Sequence, residues 1–246
     1  MSAQLSNLPI FEKILIFYAR HFPIRRGKLR LINWLWQLAS GDRDTHRLAS
    51  LRYGGFKMPC DLSLMLQRQF YFFGTYFLEA NLLSCWEKEV RGTKVIFDVG
   101  ANAGIYCLAA LAVQQDAMVY AFEPTPEIAA HLRETAALNR LDRLYVNEVA
   151  IFSETRSAVL KRFRGELGTN EGMNFISDEA DDSSVERVQT ITLDQFCIDH
   201  KIDHIGLMKI DIQGHEYSAL KGAIPTLKST LRYGCCIQNC SAKTAT

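Results

Sequence analysis

The stretch Asp98-Val99-Gly100-Ala101-Asn102-Ala103-Gly104 constrains this chain more than any other. It follows Val95-Ile96-Phe97, a short apolar run that reads as a buried strand, and it precedes the apolar helix Ile105 to Val113. The alternation continues downstream. Met118 to Phe122 reads as a second strand, and Pro126 to Asn139 as a helix with Thr125 at its N-cap and Pro126 at its first position. Leu144 to Phe152 predicts a third strand, Thr192 to His200 a short helix, Ile205 to Ile212 a fourth strand and His215 to Lys228 another helix. Strands alternating with helices imply an α/β domain with a parallel sheet and right-handed crossovers. Residues 153–190 are polar, with Gly165, Gly168, Gly172 and the acidic run Glu179 to Asp182, and predict a long loop holding an added hairpin.

The pattern begins at Gly92. Residues 1–90 read as a helical and irregular extension, with helices over Leu5 to Phe22 and Leu29 to Ala39, an aromatic-rich stretch from Leu62 to Trp86, and no catalytic motif. The division is therefore a helical extension or lid over 1–90 and an α/β domain over 91–246. The run Ile14 to Ala19 is far too short to span a bilayer; as an amphipathic helix it suits either plain packing or contact with a membrane or partner.

The glycine turn poses a chemical choice. A strand-to-helix turn at the carboxyl end of a parallel strand is the general place for a nucleotide. Glycine at 100 and 104 either lets a ligand approach the backbone or serves the turn alone. A dinucleotide fingerprint needs glycines at the third and sixth positions, where Gly100 is followed by Asn102 and Ile105. The turn thus suits a ligand without phosphate, whose amino-acid end sits against Gly100, Ala101, Asn102 and Gly104. Glu123 ends the second strand, 25 residues after Asp98; it is either a solvated strand-end carboxylate or the acceptor for two ribose hydroxyls. Asp211, His215 and Glu216 follow the fourth strand, beside the first at the sheet's switch point. Asp211 is the first candidate for positioning an acceptor or removing its proton, and His215 the second. Glu216 is the third catalytic candidate, with stabilisation of the helix dipole as its alternative role. Asp194 with Asp211 supplies too few oxygens for an ordinary divalent-cation site, so no metal is expected.

Twenty-eight basic and 27 acidic side chains leave a net charge of +1, which asks for no nucleic-acid partner. Seven cysteines, an odd number with no Cys-x-x-Cys pair, argue against a disulfide framework or zinc site and for reduced thiols in a cytoplasmic protein.

The ordered set Asp98 to Gly104, Phe122-Glu123-Pro124, Thr192-Leu193-Asp194-Gln195-Phe196, Lys209-Ile210-Asp211-Ile212-Gln213-Gly214-His215-Glu216 and Leu220-Lys221-Gly222-Ala223 resembles the FkbM family of methyltransferases over residues 65–228. The resemblance implies a Rossmann-like class I methyltransferase sheet and methyl transfer from S-adenosylmethionine to a hydroxyl of a sugar, glycan or natural product. It places Asp98, Gly100, Ala101, Asn102, Gly104, Glu123 and Asp211 around the cofactor. Gln213 stands where the family often has Glu. Only 18 residues follow Lys228, room for one further strand near Tyr233 to Ile237. The closing strands are accordingly expected to be truncated, with an exposed edge that a homodimer would cover. Two other functions fit the sequence: a cofactor-binding paralogue without turnover, and a nicotinamide-dependent oxidoreductase.

Overall fold

The computed structural model describes residues 9–40, 44–161, 164–165, 168–169, 175–177, 186–230 and 235–237. The chain divides into two compact units, Met1–Leu82 and Leu83–Thr246.

The first unit contains α1 (Ile10–His21), α2 (Lys28–Ser40), an antiparallel hairpin of β1 (His46–Ser50) and β2 (Lys57–Asp61), and α3 (Met65–Phe73). The hairpin departs from the helical and irregular extension expected over residues 1–90, and it holds Pro59 within Lys57–Asp61. A two-stranded sheet has a free edge on each strand, and there a missing N–H is tolerated. Gly54 and Gly55 make the turn with φ of +56° and +72°. The predicted first helix appears from Ile10; its expected start at Leu5 lies outside the described residues. The unit boundary falls inside α4 (Ala80–Glu89).

The second unit is built on β3 (Val95–Val99), α5 (Ile105–Val113), β4 (Met118–Phe122), α6 (Pro126–Leu138) and β5 (Leu144–Asn147). After β6 (Ala150–Ile151) come β7 (Ser157–Lys161), β8 (Arg164–Gly165), β9 (Gly168–Thr169), β10 (Phe175–Ser177) and β11 (Glu186–Ile191). The chain continues with α7 (Leu193–Asp199), β12 (Leu207–Ile210), α8 (Glu216–Lys221), α9 (Ile224–Thr230) and β13 (Cys235–Ile237).

Five strands form the main sheet in the order β13-β12-β3-β4-β5, all parallel. The chain winds outward from β3 through β4 to β5, then returns to the other side of β3 as β12. The carboxyl ends of β3 and β12 thus diverge at a switch point, as the alternation of elements implied. Successive residues of β3 face opposite sides. Phe97 and Val99 join Phe122, Phe196, Ile210 and Ala219 in one core, whereas Asp98 points the other way and meets Cys107 of α5. Helices therefore cover both faces, and β12 is buried along its whole length.

Two predicted elements are divided in the structure. The strand expected over Leu144 to Phe152 stops at Asn147, whose side-chain amide donates to the Ala121 and Tyr145 carbonyls at 3.2 and 3.1 Å. The chain then leaves the main sheet, and β6 pairs parallel with β11 in a second sheet of order β10-β7-β11-β6. That sheet and the β8–β9 hairpin occupy the region expected to be a loop with an added hairpin. The helix expected over His215 to Lys228 breaks between Lys221 and Ile224. Pro225 cannot continue it, and a Cβ at Gly222 would lie 2.3 Å from the Phe152 carbonyl oxygen. The Thr192-Leu193-Asp194 motif serves this junction. Thr192 Oγ1 accepts from Gln195 N at 3.0 Å to cap α7, and Asp194 Oδ1 accepts from Thr226 N at 2.9 Å to cap α9.

Candidate active site

A cleft open to solvent lies at the switch point. Val99, Gly100 and Asn102 line it from the end of β3, and Phe122, Glu123, Pro124, Thr125 and Ile128 from the end of β4. Val149, Ala150, Ile151 and Leu160 form an apolar wall, and Asp211, Ile212, Gln213 and His215 close it from the end of β12. Neither lysine nor arginine occurs among these lining residues, whereas two carboxylates do.

The glycine turn is held together from within. The Gly100 and Ala101 amides both donate to the Phe122 carbonyl at 3.0 Å. Asn102 N donates to Glu123 Oε2 at 3.0 Å, Ala103 N to Asn102 Oδ1 at 2.6 Å and Gly104 N to the Ala101 carbonyl at 2.8 Å. All five amides of the turn are thus committed to protein acceptors. The glycines also have internal reasons. A Cβ at Gly100, where φ is +78°, would lie 2.0 Å from the Asp211 carbonyl oxygen, and one at Gly104 would lie 2.2 Å from Leu132 Cδ1. The lack of side chains here lets β3 and β12 leave the sheet side by side and lets α6 pack on the turn; room for a ligand is a consequence rather than the first cause.

Glu123 is buried at the tip of β4. Its Oε2 accepts from Asn102 N and its Oε1 from Thr125 N, both at 3.0 Å. Burial pushes its carboxyl above the ordinary glutamate range, and the Thr125 and Asn102 hydrogen bonds only partly counter that. The Thr125 side chain adds a third hydrogen bond to the carboxylate, which leaves only part of its acceptor capacity for a ligand. The idea of a solvated strand-end carboxylate is set aside by this burial.

Asp98 lies outside the cleft wall. It is fully buried beneath the turn, where Oδ1 accepts from Lys209 Nζ at 3.1 Å and Oδ2 from the Cys107 thiol at 3.1 Å. Lys209 Nζ also donates to the Gly100 carbonyl at 3.2 Å, sits 4.8 Å from the centre of the Tyr106 ring and lies 3.9 Å from Asp211 Oδ2. One buried cation therefore links the end of β3 to a carboxylate on the cleft. The motif alone gives Lys209 no role. The available signal was a lone charge in Leu207–Ile210, a strand otherwise wholly apolar.

Asp211 and His215 both reach the cleft, with Gln213 Nε2 donating to Asp211 Oδ1 at 3.3 Å. Glu216, expected beside them, lies outside the lining. It is buried, and its Oε1 accepts from the Ile212 and Gly214 amides at 3.2 and 3.1 Å. It braces the sharp loop in which Gln213 and Gly214 take φ of +56° and +98°. Asp194 is committed to the α9 cap described above.

The sheet order and the cleft at its switch point define a Rossmann-like α/β domain. Residues 98–239, more than half of the chain, match the family model described as the methyltransferase FkbM domain, and the chain belongs to that family. It is 29% identical over 154 residues to the 2-O-methyltransferase NoeI of Sinorhizobium fredii, covering 55% of this chain and 60% of that protein. It is 28% identical over 160 residues to the 31-O-demethyl-FK506 methyltransferase FkbM of Streptomyces tacrolimicus, covering 54% and 61%. The chain thus spans about three fifths of the length of these curated relatives. Among solved structures, a putative transferase of Pyrococcus horikoshii aligns with a TM-score of 0.35 at 19% identity, covering 50% of this chain and 48% of that one. Among the described residues no helix is long and apolar enough to cross a membrane.

Proposed function

We propose that this protein transfers a methyl group from S-adenosylmethionine to a hydroxyl of a sugar, glycan or natural product. Family membership supports the reaction class, and the names of both relatives place the methyl on oxygen. The observation that carries the cofactor reading is the character of the cleft: two carboxylates, no lysine or arginine among the described lining residues, and a glycine turn whose amides are all engaged. A pyrophosphate needs free amides or cations. A sulfonium and an α-ammonium group are cations, and a ribose offers two hydroxyl donors.

S-adenosylmethionine supplies an electrophilic methyl on a sulfonium. Glu123 would accept from the ribose hydroxyls with the acceptor capacity left by the Asn102 amide and the Thr125 amide and side chain. The apolar residues Ile128, Val149, Ile151 and Leu160 would give the bound cofactor an apolar wall. Asp211, held by Lys209 and Gln213, would orient the acceptor hydroxyl and take up its proton, with S-adenosylhomocysteine leaving as the carbon–sulfur bond is exchanged for the carbon–oxygen bond. His215 is the second group within the cleft able to carry that proton. Asp98 and Glu216 act beneath the surface, fixing Lys209 and the 212–215 loop.

Calorimetry with S-adenosylhomocysteine and NAD tests the reading. The expected result is binding of the first, with a gain in thermal stability by mass action, and no response to the second. Binding of NAD alone would overturn it in favour of a nicotinamide-dependent oxidoreductase.

A further inference from the structure

Helix α1 is apolar on two opposite faces. Glu12, Leu15 and Ala19 are buried on one. Ile10, Ile14 and Phe17 follow at intervals of four and three on the other and are 76%, 61% and 61% exposed. At about 100° per residue the exposed trio lies within one narrow stripe, almost diametrically opposite the buried one. Helix α2 repeats the arrangement, with Ile32 and Trp36 buried and Leu31, Trp34 and Leu38 exposed. The connection between the helices exposes Phe22 and Ile24 as well. A helix with one core-facing stripe needs only one, so the second stripe on each requires its own explanation.

The charge over the same segment is strongly one-sided. Residues 9–40 contain Lys13, Arg20, Arg25, Arg26, Lys28 and Arg30 and a single acid, Glu12, giving 6 − 1 = +5 within a chain whose net charge is +1. Glu12 is buried and paired with Arg47. Arg25, Arg26 and Arg30 are exposed, between or beside the two apolar stripes. Lys28 fixes the corner, with Nζ donating to the Ala19 carbonyl at 2.8 Å and the Phe22 carbonyl at 2.5 Å. Outward isoleucine, phenylalanine, leucine and tryptophan with interleaved arginine and no exposed acid match the interface of an anionic bilayer. A nucleic acid would match the charge but leave the apolar stripes in water.

From this juxtaposition we infer that α1, α2 and the connection between them form a docking surface for anionic lipid membranes, on which the protein lies without spanning.

The test uses full-length protein and vesicles of phosphatidylcholine alone or with about one third phosphatidylglycerol. Flotation should carry the protein with the anionic vesicles only, and added salt should release it. Trp34 provides an internal reporter, being 56% exposed while Trp36 and Trp86 are buried; its emission should shift to the blue on anionic vesicles, and a Trp34→Phe variant should lose the shift. Ile14→Glu with Phe17→Glu, and separately Arg26→Glu with Arg30→Glu, alter exposed positions. Each pair should lower the partition coefficient by roughly tenfold or more with thermal unfolding unchanged. Equal flotation of wild type and both variants would overturn the proposal, as would flotation without a Trp34 shift. Self-association that the same variants abolish, with no vesicle binding, would assign the surface to a second copy instead. Binding to duplex DNA but to no vesicle would assign it to nucleic acid.

Discussion

Each unit of this protein buries a charge network, and the two differ in where they end. In the first unit Glu12 accepts from Arg47 Nη2 at 2.9 Å and from the Tyr71 hydroxyl at 2.6 Å. Burial and the Glu12 carboxylate push the Tyr71 phenol far up. Nearby, Arg20 donates to the Phe72, Ser50 and Tyr71 carbonyls at 3.0–3.1 Å. Those donors and acceptors are matched inside the unit, so the network fixes one arrangement of α1, α3 and the hairpin. In the second unit Lys209 neutralises Asp98 in the same way, but Asp211 stands 3.9 Å away on the cleft wall with 17% of its side chain exposed. A network closed on itself can only hold structure; one that ends at a cavity can also set the field in which a ligand sits.

The sharpest way to break this contrast is to remove one charge from each network. Lys209→Met leaves Asp98 buried and unpaired and should cost about 3–5 kcal/mol of stability, read by urea unfolding, together with a loss of S-adenosylhomocysteine affinity. Glu12→Gln should destabilise too, yet leave that affinity unchanged in the folded fraction. Equal affinity losses in the two variants would erase the distinction. Should Lys209→Met fail to fold, pairing it with Asp98→Asn removes the orphaned charge and should restore folding.

Asp211→Asn keeps the shape of the cleft and removes the proposed proton acceptor. The turnover number should fall about 100-fold, the lower end for general-base removal, with S-adenosylhomocysteine affinity nearly unchanged. A full-rate Asn variant would shift the assignment to His215. Glu123 responds differently to its two obvious substitutions. Glu123→Gln should fold and lose about 1.5–3 kcal/mol of cofactor affinity, the range for hydrogen bonds to a charge. Glu123→Ala should also lose stability, because the Asn102 and Thr125 amides are left unpaired. An Ala variant as stable as wild type would show that those two bonds contribute nothing.

The smallest effect is in pH. Burial raises the Glu123 pKa in the folded state above its unfolded value. The associated stability is fully present below the unfolded value and is lost as pH rises through the folded one. Wild type should therefore lose stability relative to Glu123→Gln over that interval above the ordinary glutamate range. A ribose bound to the carboxylate favours its ionised form, so S-adenosylhomocysteine affinity should rise over the same interval. Parallel rather than opposite trends would remove Glu123 from the ribose site.

The local code for this protein lies in short segments. Alternating apolar runs and helices were enough to predict the parallel sheet, and Thr125-Pro126 enough to start α6, because strand burial and capping depend on a few adjacent residues. The contents of the cleft were partly legible in the same way: Gly100, Asn102, Glu123, Asp211 and His215 all reach it, since each sits at a strand end. Burial and pairing were not legible. Asp98 and Glu216 look like their neighbours in sequence, yet one lies under Lys209, 111 positions away, and the other under its own loop. The reason for glycine at 100 is likewise a carbonyl at Asp211. The basic, doubly apolar character of α1 and α2 is invisible in a net charge of +1, because only the folded unit decides which face of a helix is left outside.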